Sequence, residues 1–446
     1  MKIAIIGTGY VGLVSGVCFA SKGHMVTCFD LNKDTIDILK NGQTPIYENG
    51  LVELMLENRK NIFYEVLDTK TEVNLLEFDA IIVAVGTPTV KGKIDLSQIK
   101  SVAIMIARLL KNSEKYISII LRSTVLPGTT DTFFKNIIEN QSGKKLGQFG
   151  LGMNPEFLRE GSAIEDFLKA DRIVMGYEDT ATLNIMREMY SSWNCQKLQV
   201  NSRSAEMLKY VNNTLLATLI SSVNEHANIA RQIGGIDFKE VMHSVYLDNR
   251  WSPLMADGNK LFPKILDYLK PGCGYGGSCF PKDVRALSAI AKEMSVQPKI
   301  IDAVIEVNNN QPNLIVEILK NKVKNISNKR VLILGLAFKP ETDDVRDSVS
   351  LKIINLLHDK VLSLSAHDPV AIENTKKLMS PLVNLNYVDD WKNAIYKADI
   401  IIIATNWSVY KSIEQLEGII SDKIIFDTRS LLDTSIIDNK NYLSFN

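Results

Sequence analysis

Short apolar runs in the first 125 residues alternate with stretches of helical periodicity. The elements expected at the start are a buried strand over residues 2–6, a helix over 11–21 and a second strand over 24–29. Further apolar strands are expected over residues 79–85 and 116–121. Strands that are apolar along nearly their whole length are typical of parallel sheets covered on both faces, so this region predicts a doubly wound sheet.

Polar turn residues follow two of these strands. Thr87 and Pro88 come after the strand near residue 80, and Thr124 comes after the strand near residue 120. Ligands of open α/β sheets bind outside the carboxyl ends of parallel strands. We therefore expect these residues to lie beside a bound ligand.

A long uninterrupted helical period occupies residues 202–233. It contains neither proline nor glycine, begins with Ser202 and Ser204 as capping residues, and is closed by Gly234 and Gly235. We expect a single helix at the centre of the molecule. It would pack either against a second copy of itself in a dimer or within one chain, because both arrangements give the same pattern.

The βα rhythm resumes after the polar stretch at residues 321–329 and continues to the C-terminus. The predicted fold class is therefore α/β, with two Rossmann-like doubly wound parallel-sheet domains joined by a central helical region that contains the long helix. The expected domain boundaries are residues 1–200, 201–312 and 313–446.

The composition is that of an ordinary soluble globular chain. Of its 446 residues, 46% are apolar and 23% are charged, and 51 basic residues balance 51 acidic ones. This balance argues against a nucleic-acid-binding surface. No apolar run approaches the ~20 residues that cross a bilayer, so no membrane association is expected and the protein is expected in the cytoplasm.

The cysteines and histidines favour neither a disulfide framework nor a metal site. The five cysteines are Cys18, Cys28, Cys195, Cys273 and Cys279. They are scattered and odd in number, which predicts reduced thiols. The five histidines stand in no recognisable motif, so neither a metal site nor a serine-histidine triad is expected.

The segment GTGYVG at residues 7–12 lies directly between the first strand and the first helix. This GxGxxG pattern allows a tight turn, close approach of a pyrophosphate to the backbone, and packing of the helix on the strand. Asp30 can accept hydrogen bonds from a ribose diol and would repel a 2′-phosphate, which favours NAD over NADP. The residues expected to contact the dinucleotide are Gly7, Gly9, Tyr10, Val11, Gly12 and Asp30.

The segment PGCGYGGSCFPKD at residues 271–283 places one thiol, Cys279, among glycines. Such a loop lets backbone amides approach a ligand and stabilise an oxyanion or a phosphate. Lys282 is near enough in sequence to favour the thiolate, and Asp283 lies four residues beyond the thiol. By itself, a glycine-flanked cysteine is more often structural than catalytic.

Motifs along the whole chain resemble those of the UDP-glucose/GDP-mannose dehydrogenase family. In order they are GTGYVG, VGTP, RSTV, NPEFLREG at residues 154–161, a lysine and an asparagine on the long helix, GYGGSCFPKD and AFKP. The resemblance implies an NAD-dependent, two-stage oxidation of a UDP-sugar C6 alcohol to the uronate. It also implies that the three domains bind NAD, mediate dimerisation and catalysis, and bind the nucleotide sugar.

The catalytic residues that the resemblance implies are Cys279, Glu156, Lys209, Asn213, Asp283 and Thr124. Cys279 would trap the intermediate aldehyde as a thiohemiacetal and then carry a thioester. Glu156 would activate water, while Lys209 and Asn213 would stabilise an oxyanion. Thr124 and Asp283 would hold the catalytic water.

Further binding roles follow from the same resemblance. The implied substrate-binding residues are Glu156, Phe157, Leu158, Glu160, Lys209, Asn213, Arg250, Tyr275, Gly276, Phe338 and Lys339. Additional cofactor contacts are implied at Thr87, Pro88, Thr124, Glu160, Lys282 and Arg346. Arg250 would reach a neighbouring subunit's site, so a homodimer or higher homo-oligomer is expected. Because Pro155 suits a first helical turn, Glu156 and Glu160 are expected on one face of a helix.

Two departures from the family pattern bear on these sites. The segment between Arg250 and the GYGGSC loop is longer than is common, so the sugar pocket is expected to differ. At Thr35 many relatives carry a basic residue that contacts the cofactor, and Lys33 is the candidate to replace it.

UDP-glucose is the favoured substrate because NPEFLREG and GGSCFPKD are more similar to UDP-glucose enzymes than to GDP-mannose enzymes. UDP-N-acetylhexosamines and GDP-mannose remain alternatives, since no residue reads the sugar C2 substituent. A two-electron hydroxyacid dehydrogenase would not require a nucleophilic thiol. A catalytically silent NAD-binding scaffold would not require the cysteine, lysine, asparagine and glutamates.

Overall fold

The computed structural model describes residues 1–67, 75–90, 93–433 and 441–445. The chain forms two compact units, residues 1–212 and residues 213–446. The unit boundary lies within a helix of 32 residues that runs from Ser202 to Ile233. This helix confirms the long helix predicted from the sequence.

The first unit contains an eight-stranded sheet and a small antiparallel hairpin. Its strands are β1 (Lys2–Ile6), β2 (Met25–Asp30), β3 (Ile62–Val66), β4 (Ala80–Val83), β5 (Thr89–Val90), β6 (Lys93–Ile94), β7 (Ser118–Leu121), β8 (Gly150–Met153), β9 (Arg172–Tyr177) and β10 (Gln196–Val200). Its helices are α1 (Tyr10–Ser21), α2 (Lys33–Lys40), α3 (Leu51–Glu57), α4 (Ser97–Lys111), α5 (Lys135–Ser142), α6 (Ala163–Leu168), α7 (Thr180–Met189) and the start of α8 (Ser202–Ile233). A π-helical turn (Thr129–Phe134) leads into α5.

Successive residues of the central strands point to opposite faces of this sheet, and both faces are covered. In β1, Ile3 and Ile5 pack in one apolar cluster, while Ala4 and Ile6 pack in another. All four are at most 1% exposed. Burial of a large apolar side chain contributes about 1.5–3 kcal/mol, which explains why these strands are apolar throughout rather than alternating with polar residues.

One strand pair departs from the parallel sheet predicted from the sequence. The strand order is β10-β9-β8-β7-β4-β1-β2-β3, and β9 runs antiparallel to β8. Because β8 and β9 run in opposite directions, β9 begins at the edge of the sheet where β8 ends. The chain between residues 153 and 172 therefore leaves and re-enters the sheet at the same edge. That edge carries the carboxyl ends of β1 and β4, so residues 154–161 stay at the edge where ligands bind.

The second unit contains a six-stranded sheet that is parallel throughout. Its strands are β11 (Arg330–Leu334), β12 (Ser363–His367), β13 (Leu385–Tyr387), β14 (Ile400–Ile403), β15 (Ile424–Asp427) and β16 (Tyr442–Ser444). After α8, its helices are α9 (Phe238–Tyr246), α10 (Phe280–Glu293), α11 (Lys299–Lys322), α12 (Val349–Leu357), α13 (Ile372–Leu378), α14 (Trp391–Lys397) and α15 (Glu417–Ile420).

The two sheets share one plan. The order β3-β2-β1-β4-β7 in the first corresponds to β13-β12-β11-β14-β15 in the second. Gly7 N–H donates to the Phe29 carbonyl and Gly335 N–H donates to the His367 carbonyl, both at 2.8 Å. Both glycines have positive φ angles, 100° and 96°. The predicted pair of Rossmann-like sheets is therefore confirmed.

The predicted domain boundary at residue 312 falls inside α11, which continues through the buried Pro312. The three-domain division and its bounds stay a prediction. Across the parts of the chain that the structure describes, no helix is both long and apolar enough to cross a membrane.

Candidate functional site

The glycine turn between β1 and α1 has the geometry that a dinucleotide requires. A Cβ atom on Gly12 would lie 1.9 Å from the Gly7 carbonyl oxygen, so only glycine fits there. A Cβ on Gly9 would have nothing within 4 Å. Gly9 caps α1, whose first residue is Tyr10. The residues present therefore fit NAD, with an open backbone turn at a helix N-terminus for the pyrophosphate.

Asp30 stands beside this turn at the end of β2. Its Oδ2 accepts hydrogen bonds from the Thr8 amide and the Thr8 hydroxyl, each at 2.7 Å. Its Oδ1 accepts from the Asn32 amide at 2.9 Å. These contacts fix the carboxylate next to the turn, and its role towards a ribose stays a prediction.

The turns after β4 and β7 are linked, as their parallel pairing requires. The Thr87 hydroxyl donates to the Thr124 carbonyl at 2.8 Å. Thr87, Pro88 and Thr124 therefore occupy the same edge of the sheet as the glycine turn. Their contacts with cofactor or water remain predictions.

Glu156 and Lys209 form a buried ion pair within the first unit. Lys209 Nζ lies 2.8 Å from Glu156 Oε1 and also donates to the Glu156 carbonyl at 2.8 Å. Both side chains are 4% exposed. Burial acts to raise the pKa of Glu156, but the charge and hydrogen bond of Lys209, the Leu158 amide and the charge of Arg122 outweigh it and hold that pKa below its ordinary value.

The prediction that Glu156 and Glu160 lie on one helix is wrong. Residues 154–159 are not helical, and α6 begins only at Ala163. The Glu156 carboxylate accepts the Leu158 amide at 2.6 Å, and the Glu156 carbonyl is bound by Lys209. The Leu158 amide and the Glu156 carbonyl, which would take part in a first helical turn, are therefore hydrogen-bonded to other partners. Phe157 packs beneath two cations, with Arg172 Cζ 4.4 Å and Lys209 Nζ 5.6 Å from its ring centroid.

Two polar residues of the first unit were missed by the sequence analysis. Glu48 is 7% exposed and accepts the amides of Gly161 and Ala163. Arg122, the first residue of RSTV, is 4% exposed and donates from Nε to the Ser15 hydroxyl at 2.8 Å. A buried charged residue interrupts the apolar pattern of the sequence in the same way as an exposed one. Hydrophobic periodicity therefore cannot show that Glu48 and Arg122 are buried.

Cys279 lies at the N-terminus of α10 in the second unit. The four glycines before it and Pro281 in the first turn explain why the loop ends and the helix starts here. The Ser278 hydroxyl is 3.5 Å from Cys279 Sγ. A helix N-terminus carries partial positive charge, which favours a thiolate.

A polar cluster occupies the first turn of α10. Asp283 is fully buried, and its two oxygens accept from Asn213 Nδ2 at 2.7 Å and from Lys282 Nζ at 2.6 Å. Asn213 lies one turn after Lys209 on α8. The ammonium of Lys282 is thus bound to Asp283, and the predicted effect of Lys282 on Cys279 remains untested.

The glycine loop before Cys279 packs against the segment that follows β11. A Cβ on Gly276 would lie 2.6 Å from the Asp347 carbonyl oxygen, and one on Gly277 would lie 2.7 Å from the Phe338 ring. The Gly277 amide donates to the Arg346 carbonyl at 2.9 Å. The loop and the AFKP turn, which the sequence analysis assigned to the sugar nucleotide, are therefore neighbours.

Cations surround this contact. The Arg346 guanidinium binds Asp344, with Nη2 2.8 Å from Oδ2, and Lys339 Nζ lies 5.6 Å from the Phe338 ring centroid. Arg429 was missed by the sequence analysis. It donates to the carbonyls of Ala404 at 2.8 Å and of Gly274 and Phe338 at 3.4 Å. Its position just after β15, at the ligand-binding edge of the second sheet, is the signal that could have identified it.

Arg250 follows α9 and is exposed. Its side chain is 88% exposed and pairs with Asp248, with Nη2 2.6 Å from Oδ2. The long segment that follows contains a bridge between Leu254 and Lys260 and a short 3-10 helix over Lys264–Leu269. The predicted role of Arg250 towards a neighbouring subunit stays a prediction.

The five cysteines, which were predicted to be reduced thiols, all lie within the described residues. None of them is joined to another in a disulfide. Within the described ranges, no group of three or more His, Cys, Asp or Glu side chains is placed to hold a metal ion. Burial raises the pKa of Cys18 and Cys28 to about 12, so neither is a reactive thiolate at neutral pH.

Three family models match the chain in succession. They describe the UDP-glucose/GDP-mannose dehydrogenase family: its NAD binding domain over residues 1–194, its central domain over 203–310 and its UDP binding domain over 332–434. The chain is also 38% identical to the UDP-glucose 6-dehydrogenase TuaD of Bacillus subtilis strain 168, over 99% of this chain and 92% of that protein.

Two solved structures are similar over the whole chain. A UDP-glucose dehydrogenase from the hyperthermophilic archaeon Pyrobaculum islandicum is 32% identical, with a TM-score of 0.88 over 100% of this chain and 97% of that one. A UDP-D-ManNAc dehydrogenase from Pyrococcus horikoshii is 25% identical, with a TM-score of 0.83 over 100% of this chain and 99% of that one.

Proposed function

Because the chain belongs to the UDP-glucose/GDP-mannose dehydrogenase family, we propose that it oxidises the C6 alcohol of UDP-glucose to the carboxylate of UDP-glucuronate, with Cys279 as covalent nucleophile. The protein is an NAD-dependent nucleotide-sugar 6-dehydrogenase. UDP-glucose is chosen because curated relatives that match nearly the full chain carry the name UDP-glucose 6-dehydrogenase.

The observation that carries the proposal is the position of Cys279. The thiol stands at the start of a 14-residue helix, where the helix dipole favours its ionised form. Lys282 and Asp283, in the first turn of that helix, form a hydrogen-bonded cluster with Asn213 of α8. A nucleophilic thiolate with a polar cluster beside it is what capture of an aldehyde requires.

The reaction proceeds in two oxidations and a hydrolysis. NAD, when bound, accepts one hydride from C6 in each oxidation. In the first oxidation C6 loses a hydride and its hydroxyl loses a proton, which gives the aldehyde. The Cys279 thiolate then adds to the aldehyde carbon, a C–S bond forms as the C=O π bond breaks, and the oxygen takes a proton to give a thiohemiacetal. Loss of the second hydride and of that proton leaves a thioester. Water then adds to the carbonyl, one of its protons passes to Glu156 and the other to solvent, the C–S bond breaks, and carboxylate and free thiolate are released.

Glu156 and Lys209 support the proton and charge transfers. The lowered pKa keeps Glu156 ionised at neutral pH, so its carboxylate can accept a proton from water. Lys209 supplies a buried positive charge for a developing oxyanion, and the Asn213 amide supplies a hydrogen-bond donor. Thr124 is proposed to orient the attacking water.

The nucleotide is proposed to bind where the glycine loop meets the AFKP turn. Tyr275 and Gly276 provide backbone on one side, and Phe338 and Lys339 lie on the other. Arg429 adds a guanidinium at the same place, which suits a diphosphate. Arg250 is proposed to complete the site of a second subunit in a homodimer.

The test is the yield of NADH per mole of limiting nucleotide sugar. UDP-glucose, UDP-N-acetylglucosamine, UDP-N-acetylgalactosamine and GDP-mannose are compared for the wild type, Cys279→Ser and the control Cys195→Ser, which alters a partly exposed thiol elsewhere. We expect two NADH per UDP-glucose in the wild type and the control, and little or no uronate from Cys279→Ser. One NADH per sugar, or a fully active Cys279→Ser, would overturn the covalent mechanism; two NADH from another sugar alone would reassign the substrate.

A further inference from the structure

Glu48, in the connection between α2 and α3, is a buried carboxylate to which the proposed reaction gives no role. It is 7% exposed. Its Oε1 accepts the Ala163 amide at 2.7 Å, and its Oε2 accepts the Gly161 amide at 2.6 Å and the Tyr10 hydroxyl. Charge-assisted hydrogen bonds of this kind are stronger than neutral ones, so the carboxylate fixes all three partners.

The three partners belong to the two ligand-binding segments of the first unit. Tyr10 is the first residue of α1, directly after the glycine turn. Gly161 follows Glu160, and its amide nitrogen is part of the peptide bond that joins them. Gly161 has a φ of 83°, and its amide also donates to the Tyr10 oxygen at 3.1 Å. Glu48 therefore ties the cofactor turn to the end of the NPEFLREG segment.

The electrostatics agree with a fixed arrangement. Burial, the hydrogen bond to Glu48, and the charges of Glu48 and Glu160 all raise the pKa of the Tyr10 phenol above its ordinary value. The Tyr10 hydroxyl therefore stays protonated and donates a hydrogen bond to the Glu48 carboxylate.

We propose that Glu48 is a positioning residue, which clamps Tyr10 and the backbone at Gly161 and thereby holds Glu160 at the ligand-binding edge of the first sheet. The inference rests on the proposed function for the role of Glu160. In this proposal Glu48 acts through Tyr10 and the Gly161 backbone, not by touching a reactant. A residue that only stabilised the fold would change the fraction of active enzyme, whereas a positioning residue changes the affinity of the active enzyme for its ligands.

The test is Glu48→Gln, with Glu53→Gln on the exposed face of α3 as the matched control. Glutamine has a single acceptor oxygen, so one of the two backbone amides loses its partner. We expect KM for NAD and for the UDP-sugar to rise about tenfold, the size expected for a lost hydrogen bond to a charged group, while kcat changes less than about threefold. Glu53→Gln should match the wild type.

Tyr10→Phe provides a second variant that leaves both backbone amides bound to Glu48. It should raise both KM values by a smaller factor, and Tyr10→Phe/Glu48→Gln should raise them by less than the product of the single effects, because the two side chains bind each other. If Glu48→Gln does not fold, the KM values of Tyr10→Phe alone decide: unchanged values contradict the clamp.

The dissociation constant of NAD, measured by fluorescence titration without sugar, separates this inference from the proposed function. A constant about tenfold higher in Glu48→Gln supports the clamp whichever sugar is oxidised. Unchanged NAD affinity and unchanged KM values, with a lower melting temperature and kcat, would show a purely structural role and overturn the inference. Absence of turnover of every UDP-sugar by the wild type would overturn the proposed function alone.

Discussion

At the level of single residues, Lys209 and Glu156 form an ion pair that is almost fully removed from water. Removal of two charges from water is costly, and their attraction offsets that cost only while both are present. Because the folded pKa of Glu156 lies below its ordinary value, the stabilisation from this carboxylate is present at neutral pH. It is lost as the pH falls below the ordinary carboxyl range and through the folded pKa.

Glu156→Gln and Lys209→Met should each destabilise the protein by about 3–5 kcal/mol, since each leaves one buried charge without its partner. The double variant Glu156→Gln/Lys209→Met should lose less than the sum of the two. Urea unfolding at pH 7 measures these differences. Lys169→Met, which breaks the exposed pair with Glu165, is the control and should cost at most about 0.5 kcal/mol.

Additive losses in the double variant would contradict this account, because uncoupled residues do not share a buried interaction. The difference between the wild type and Glu156→Gln should also be constant from about pH 6 to 8 and shrink at lower pH. A difference that instead grew on acidification would show that the folded pKa of Glu156 is raised.

Sequence motifs point to candidate catalytic residues more readily than to the residues that hold such candidates in place. Cys279 stands in a short, recognisable string, and Lys209 and Asn213 stand on the long helix that the apolar periodicity predicts. Glu48 and Arg429 stand in no such string. Their hydrogen-bond partners are backbone amides and carbonyls of residues far away in the sequence. Local pattern contains no information about such partners.

At the level of elements, the NPEFLREG segment shows where propensity gives way to tertiary contacts. Pro155 and the i, i+4 spacing of Glu156 and Glu160 predict a helix. Lys209 of α8 instead donates a hydrogen bond to the Glu156 carbonyl. The strands and the long helix were predictable because their apolar periodicity is strong. The reversed strand β9 was not, since direction within a sheet leaves no mark on the apolar pattern.

The packing of the glycine loop on the AFKP turn yields a prediction with an internal control. Gly277 and Gly258 have nearly the same φ, 84° and 82°, so alanine should strain the backbone by about 1–2 kcal/mol at either position. Only at Gly277 does the added Cβ meet a neighbour, the Phe338 ring at 2.7 Å, whereas at Gly258 nothing lies within 4 Å.

Gly277→Ala should therefore raise KM for the UDP-sugar or lower kcat by about tenfold or more, because displacement of a binding loop by about 1 Å can cost up to a hundredfold. Gly258→Ala should lose similar stability and keep wild-type kinetics. Steady-state kinetics and thermal melting of both variants measure this. Equal kinetic losses in the two variants would show that backbone strain, rather than contact with Phe338, is responsible.

At the level of the whole molecule, two sheets with the same order of five strands belong to domains of different kinds, an NAD binding domain and a UDP binding domain. In the first sheet, Asp30 is partly exposed and, among the residues that the structure describes, accepts hydrogen bonds from Thr8 and Asn32 alone. Asp368 stands at the corresponding place in the second sheet and is 2% exposed. It accepts from the amides of Leu336, Ala337, Val370 and Ala371 and from the Trp407 indole.

This difference predicts a single NAD site per chain. A carboxylate that already accepts five hydrogen bonds has little capacity left for a ribose diol, and Ala337 replaces the glycine that lets a pyrophosphate approach. Isothermal titration with NAD should give one site per chain. Asp30→Ala should weaken binding about tenfold or more, because the lost contact is to a charged acceptor, whereas Asp368→Asn should lower stability but leave the dissociation constant unchanged. Two equivalent sites, or loss of NAD affinity in Asp368→Asn, would mean that the second sheet keeps a dinucleotide site, and its assignment to the UDP-sugar would then have to be reconsidered.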